Sequence, residues 1–582
     1  METTLTLAKK ECARYGIDAD FITDTALPSF EIRAKNGRLL IAAPNDIELL
    51  YGVYACAETF GGYTFFEPGR DIFDPQRIVH DLPMANGVLI PAKKPLLKVR
   101  GFVQEFPFGD DTAIIFDWMA KNAMNYLPVW MKYYDHLSDE MKHFAQIRGI
   151  EIESGHHNFN YWIPGTKYAK EHPEFFAMID GKRINPSGNV ELLLSEQLCT
   201  TNPELRAEIV RRMLEYCDAH PEVHTISLVP NDGFGWCECP VCSKFYDKNR
   251  KGDLYSVSEH VYKADRIYHD LVRDVAARLH KARPDLKLTF TAYVNYCRPS
   301  DGMTLEPGMA IHFAPYWRCI NHEIDDTDCP INSHYADDLL AWANVKRGGE
   351  IYVYEYYMGI NFYLSLPMLH FHEMFHEMKW YASHGIDGVN TQFHVPHWTV
   401  YGMNYYLMAR AARGADEEST ITDLFARLFG KDAETARAFY GEIKNVVMSA
   451  GKCHIPYPYS LFTRTTLAQY QKLHSLAQEL LALQPNDSRR KEIVIWMEFL
   501  CKFKELFDLN KKGLATETDA QRLLDWVHSH SDTRLFVHDR FDMYFDEMKK
   551  LLREGRPWIH FGLDWEDAAI LREEKEYFIK KM

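Results

Sequence analysis

From about residue 96 to 415, short apolar runs alternate with longer amphipathic ones. That alternation predicts parallel strands joined by helical crossovers. Eight runs have the length and composition of strands: Val99 to Phe106, Ala123 to Trp130, Gly149 to Ser154, Thr225 to Pro230, Leu286 to Val294, Ala310 to Pro315, Glu350 to Tyr356 and Gly388 to Phe393. Eight parallel strands close a (β/α)₈ TIM barrel, whose chemistry sits at the strand C-termini. The fold class expected is therefore α/β, with residues 93–415 as the catalytic barrel.

The flanks have other patterns. In residues 1–92, Phe30 to Arg33 and Leu39 to Ala42 read as paired strands, and Asn45 to Thr59 has helical spacing with Leu49, Val53 and Ala57 on one face. Gly61-Gly62 ends that helix and Tyr63 to Phe66 resumes as a strand, so a small α/β domain is expected. Residues 416–582 carry helical periodicity, as in Leu467 to Leu483 and Arg490 to Leu509. They predict a helical accessory domain, with no chemistry suggested by its residues.

Composition narrows the function. The 582 residues are 46% hydrophobic and 25% charged, the balance of an ordinary globular chain, and a net charge of −16 argues against nucleic acid as partner. No apolar run reaches the length of a membrane span. No signal peptide opens the sequence, which places the chain in the cytoplasm as it stands, or outside the cell if a leader has been removed. The 12 Cys are mostly scattered, as suits a reducing compartment. Tyr (33) and Trp (12) are plentiful, and sugar rings stack on aromatic faces.

Polar residues collect where the strands end. The fourth run leads into Asn231-Asp232-Gly233, a turn-forming tripeptide that a barrel would bring to its mouth. A carboxyl group there, partly desolvated, could protonate a leaving alkoxide. On the seventh run Glu355 stands among Tyr352, Tyr354, Tyr356 and Tyr357. It is either a second carboxylate facing Asp232 across a sugar or a structural ion pair with Arg100 or Arg318. Further strand-end residues offer stacking and hydrogen-bonding groups for a sugar: Glu105, His156, His157, Trp236, Tyr293, Tyr316, Trp317, Asn390, Gln392 and His394. Two motifs point elsewhere. Cys237, Cys239 and Cys242 could ligate zinc with a distant fourth ligand, form a disulfide staple, or remain unpaired loop thiols. His372-Glu373-Met374-Phe375-His376 matches the zinc-protease pattern H-E-x-x-H, but falls in the crossover helix between runs seven and eight, away from the mouth.

Val229-Pro230-Asn231-Asp232-Gly233 with the Cys trio, His172 to Phe176, and Gln197 to Pro203 resemble the domain of glycoside hydrolase family 163. Leu49 to Tyr54, Gly61-Gly62 and Phe65-Phe66 are similar to the small domain that precedes the barrel in α-glucuronidases and β-hexosaminidases. The resemblance implies a retaining endo-β-N-acetylglucosaminidase acting on N-glycan-like oligosaccharides. No cofactor is expected, and no metal apart from one that the Cys trio could hold. The resemblance also implies substrate-assisted catalysis, with Asn231 polarising the acetamido group and Asp232 as acid/base. Asn390 and Gln392 stand where an acidic residue would be expected, so one subsite differs. The alternatives are a glycosidase for a uronic acid or neutral sugar using an Asp232/Glu355 pair, or an inactive carbohydrate-binding barrel.

Overall fold

The structure is a computed structural model. It describes residues 2–81, 85–186, 196–233, 235–246, 263–316, 318–319, 321–357, 364–449 and 458–556.

All eight predicted barrel strands form. They are β1 (Val99–Val103), β2 (Tyr126–Trp130), β3 (Glu151–Gly155), β4 (Thr225–Ser227), β5 (Lys287–Tyr293), β6 (Met309–Ala314), β7 (Glu350–Glu355) and β8 (Gly388–Gln392). Each pairs in parallel with its sequence neighbour, and β8 closes on β1 with Gly388 opposite Val99, so the sheet is a closed barrel. The runs are almost wholly buried because a barrel strand is covered by helices outside and by other strands' side chains inside.

Successive side chains of a strand point to opposite faces. Here one parity turns inward: Val99 and Gly101 on β1, Tyr126 on β2, Ala310 on β6 and Tyr352 on β7. Val99, Tyr126, Ala310 and Tyr352 pack together as one interior layer. The Tyr126 and Tyr352 rings lie 5.4 Å apart and plug the lower barrel. Their bulk leaves no room opposite. A Cβ on Gly101 would stand 2.0 Å from the Tyr126 carbonyl oxygen, and one on Gly388 would stand 2.5 Å from the Val99 Cβ.

Before the barrel, four strands form a sheet in the order Ala19–Thr23, Arg38–Ala43, Glu31–Lys35, Gly87–Ile90. The predicted hairpin is present, with Ile32 opposite Ile41. The helix Asp46–Thr59 is capped by the Asn45 side chain, which accepts from the Glu48 N–H. Leu49, Val53 and Tyr54 from its inner face join Ile32, Ile41 and Leu7 in a core of their own.

After the barrel, Trp398–Arg413 ends at Gly414 in the left-handed conformation, and helices follow. The expected helices are Leu467–Leu483 and Ser488–Lys511. Their apolar faces merge with the barrel's own core. Among the described residues, no helix is long and apolar enough to cross a membrane.

Candidate active site

A cavity of about 230 Å³ opens at the C-terminal ends of the strands. The inward parity dictates its walls. Glu105, Trp130, Glu153, Thr291, His312 and Gln392 line it together with Tyr293, Tyr316, Tyr354 and Tyr356. His156, His157 and Asp232 come from loops that follow β3 and β4. Arg540, from the helix His538–Arg553, completes the rim.

Two of the three cavity carboxylates are buried anions held by donors. Glu153 accepts from His312 Nε2 at 2.8 Å, from Thr289 Oγ1 at 2.6 Å and from the Tyr126 hydroxyl. Burial pushes its pKa up, but the His312 charge and these hydrogen bonds prevail and hold it below the usual glutamate value. Glu105 accepts from the Tyr354 hydroxyl and stands 3.4 Å from His156 Nε2. Burial opposes its ionisation as well, yet the hydrogen bond and charge of His156, with hydrogen bonds from Tyr354 and Gln392, lower it to about 2. Because the folded value lies below the ordinary 4.5, Glu105 stabilises the fold above that pH. The contribution disappears as pH falls through about 2. Glu105→Gln should therefore melt below the parent at neutral pH, with the gap closing as the pH is lowered. Melting temperatures of both proteins from neutral to strongly acidic pH test this; a gap that does not change would contradict it.

His156 and His157 join the carboxylates in an arc. His156 has φ +65°, an uncommon conformation for a residue with a side chain. That twist lays its ring on Trp130, with centroids 4.9 Å apart and 22° between planes, and aims Nε2 at Glu105. His157 Nδ1 donates to the Pro230 carbonyl at 2.5 Å, so its Nε2 turns toward Asp232 Oδ1, 3.9 Å away. Burial lowers the pKa of His157 against the opposing pull of Asp232, which favours the neutral ring. Asp232 itself is 40% exposed at the mouth and accepts from the Gly233 N–H. It is thus the carboxyl group of the three that an incoming ligand meets first.

The structure gathers Glu105, His156, His157, Asp232, Tyr293, Tyr316 and Gln392 around the cavity, as the sequence suggested. Asn390 lies just beneath, with Nδ2 3.5 Å from His312 Nδ1. It leaves other candidates outside. Asn231 is buried, and its amide is spent on the backbone: Oδ1 accepts from Asn160 N and Nδ2 donates to Glu196 O. The expected polarising role is corrected to that of a staple that fixes the chain next to Asp232. Glu355 has the outward parity and leaves the barrel. It accepts from Arg318 Nη1 at 2.7 Å and from the Tyr381 hydroxyl at 2.5 Å, so the ion-pair reading holds. Tyr357 donates to Glu377 in the same outer network. Trp236 packs in the core against Tyr268 and Tyr296, and His394 against Phe106 and His397. Trp317 lies outside the described residues.

The remaining motifs lie off the cavity. Cys237, Cys239 and Cys242 are buried beside Cys199. The H-E-x-x-H segment sits on the outer helix Phe371–Ser383, as predicted. His372 lies 2.7 Å from Glu417, His376 lies 2.8 Å from Asp325 and Glu373 pairs with Lys444, so its groups face separate partners. Trp130, Glu153, Thr291, His312, Tyr354, Tyr356 and Arg540 were not foreseen as site residues. All but Arg540 carry a sequence signal, since they follow the inward parity of their strands; Arg540 has none.

A family described as a domain of unknown function (DUF4838) matches residues 76–441. No curated protein matches the chain. Among solved structures, the family 89 glycoside hydrolase from Clostridium perfringens in complex with PUGNAc is similar, with TM-score 0.54 and 9% identity, over 90% of this chain and 65% of that one. A family 115 4-O-methyl-α-glucuronidase specific for decorated arabinogalactans gives 0.50 and 11%, over 92% and 71%. A β-N-acetylhexosaminidase from Bacteroides fragilis gives 0.44 and 14%, over 73% and 84%. At these identities the likeness is one of fold.

Proposed function

The chain belongs to the DUF4838 family, and from the cavity its barrel builds we propose that it is a glycoside hydrolase. The observation that carries this reading is Asp232: a half-exposed carboxyl group at the mouth of an aromatic-walled cavity, with two buried carboxylates below it. A hydrolase of glycosidic bonds needs an acid at the leaving oxygen and negative charge near the anomeric carbon, where positive charge develops. Asp232 supplies the first, and Glu105 and Glu153 the second. Trp130, Tyr293, Tyr316, Tyr354 and Tyr356 offer faces and hydroxyls to a sugar ring. Burial keeps the Tyr293 and Tyr356 phenols protonated, so each can donate a hydrogen bond, while the Tyr354 hydroxyl already donates to Glu105. The glycoside hydrolases of families 89 and 115 named above share the fold and support the reaction class.

The finer reading is a retaining endo-β-N-acetylglucosaminidase for N-glycan-like oligosaccharides. In this scheme the substrate's acetamido oxygen attacks the anomeric carbon while Asp232 gives its proton to the departing oxygen. Water then opens the cyclic intermediate, returning its proton to Asp232. Two features favour assistance by the substrate. Glu105 and Glu153 are each engaged by several donors, which lowers their nucleophilicity, and Glu355 is turned away from the cavity.

A thiazoline analogue of N-acetylglucosamine tests the pathway. It should inhibit competitively, at least about 100-fold more tightly than N-acetylglucosamine itself. Activity indifferent to the analogue would remove the assisted route. Mass spectrometry of a digested N-glycoprotein should show a released oligosaccharide; release of a monosaccharide would replace endo with exo action.

A further inference from the structure

We propose that Cys199, Cys237, Cys239 and Cys242 form a closed, tetrahedral four-thiolate site for one zinc ion. The sequence brings three of these thiols together as C-x-C-x-x-C, and the fold supplies the fourth from about forty residues upstream.

Distances favour an ion over a bond or a chance cluster. All four Sγ atoms lie within 4.8 Å of one another, and Cys199 Sγ is 3.8 Å from both Cys239 Sγ and Cys242 Sγ. With zinc–sulfur bonds of about 2.3 Å, the edge of a tetrahedron is about 3.8 Å. A disulfide bond is about 2.05 Å long, and all four cysteines are free thiols. Each sulfur is buried.

The surroundings suit thiolates. The Met178 N–H points at Cys237 Sγ from 3.2 Å, the Cys242 N–H at Cys239 Sγ from 3.5 Å, and the Thr201 hydroxyl lies 3.0 Å from Cys242 Sγ. Arg183 Nη1 stands 3.6 Å from Cys237 Sγ, a positive charge beside a centre that would carry two net negative ones. Donors of this kind orient and stabilise metal-bound sulfur. Four protein ligands leave no open position, so the ion would be structural.

Its place in the fold gives that role content. Cys199 ends the excursion that follows β3, just before the helix Pro203–Ala219. The other three sit on the loop after β4, a few residues beyond Asp232. The same two segments are already tied by Gln197 Nε2 to Asn231 O and by Asn231 Nδ2 to Glu196 O. The ion would clamp both ends of this join and thereby set the loop that carries Asp232. The inference does not depend on the reaction proposed above.

Elemental analysis of the full-length protein, purified without chelator from zinc-supplemented cells, should give one zinc per chain. X-ray absorption at the zinc edge should show four sulfurs at about 2.3 Å. Cys199→Ser and Cys239→Ser should lose the zinc, whereas Cys501→Ser should keep it. The absorption measurement needs only the unaltered protein, so a variant that fails to fold does not spoil the test. Protein without stoichiometric zinc, iron in its place, nitrogen or oxygen in the first shell, or a disulfide among these four thiols would overturn the proposal.

Discussion

Asp232→Asn is expected to lower kcat/KM on a glycoprotein glycan by about 10²–10⁴-fold, the usual contribution of general acid–base catalysis. The loss should be much smaller on an aryl glycoside with a good leaving group, because that group departs without a proton. The expectation rests on the site's geometry. The Asp232 side chain is 40% exposed, within reach of a leaving oxygen, while those of Glu105 and Glu153 are 12% and 2% exposed and held by hydrogen bonds. His157 presents a neutral Nε2, 3.9 Å from Asp232 Oδ1. Asn retains the oxygen that accepts from Gly233 N–H, so the loop should keep its shape. Rates on both substrates, measured with the same preparations, decide the matter. Equal losses on both, or none on the glycan, would remove Asp232 as the acid.

Arg318→Met is expected to destabilise the protein by about 3–5 kcal/mol, the cost of breaking a buried ion pair by removing one partner. Arg318 is buried between two carboxylates, Glu355 and Glu377, and donates to both. Without it, two buried carboxylates face each other with the Tyr381 and Tyr357 hydroxyls and the Ile324 N–H as their remaining donors. Burial already raises Glu377 to about 7 even with Arg318 in place. In the variant the folded state should take up protons more readily than the unfolded chain. Its deficit should therefore shrink as the pH falls, and denaturant titrations at neutral and mildly acidic pH would reveal this. Glu355→Gln provides the functional counterpart. It should leave kcat nearly unchanged, because Glu355 points to the outer helices; a large loss of kcat in folded protein would return it to the active site.

Much of the fold was legible because barrel strands are short, buried and regularly spaced by helices. Each of the eight apolar runs became a strand, and the helical spacing over Asn45 to Thr59 became the helix Asp46–Thr59. The site was legible in part. Asp232, His156 and His157 follow strands directly, so locating the strand ends located them. Glu355 misled because a carboxylate among tyrosines was weighed without its parity. Tyr352, Tyr354 and Tyr356 alternate with it, and a strand cannot send Tyr354 and Glu355 to the same face. The same alternation marks Glu153, two residues from Glu151 on β3, as an inward carboxylate. Asn231 looked functional by adjacency to Asp232, but its partners Asn160 and Glu196 lie some seventy and thirty-five residues away. No local pattern encodes that fixation. The thiol cluster was three-quarters visible for the same reason: the trio is local, while Cys199 arrives through the fold.

The rim of the cavity has a practical consequence for anyone who trims the gene. The DUF4838 match stops at residue 441, yet Arg540 lines the cavity and lays its guanidinium 4.3 Å from the Phe106 ring centroid. A fragment cut to the family's borders would encode every barrel strand and every cavity carboxylate. It would also lack part of one wall, and would bare apolar surface that the later helices bury against the barrel. The smallest expressible unit is thus larger than the recognisable one, and the 441 border marks where sequence kinship fades rather than where the molecule can be divided.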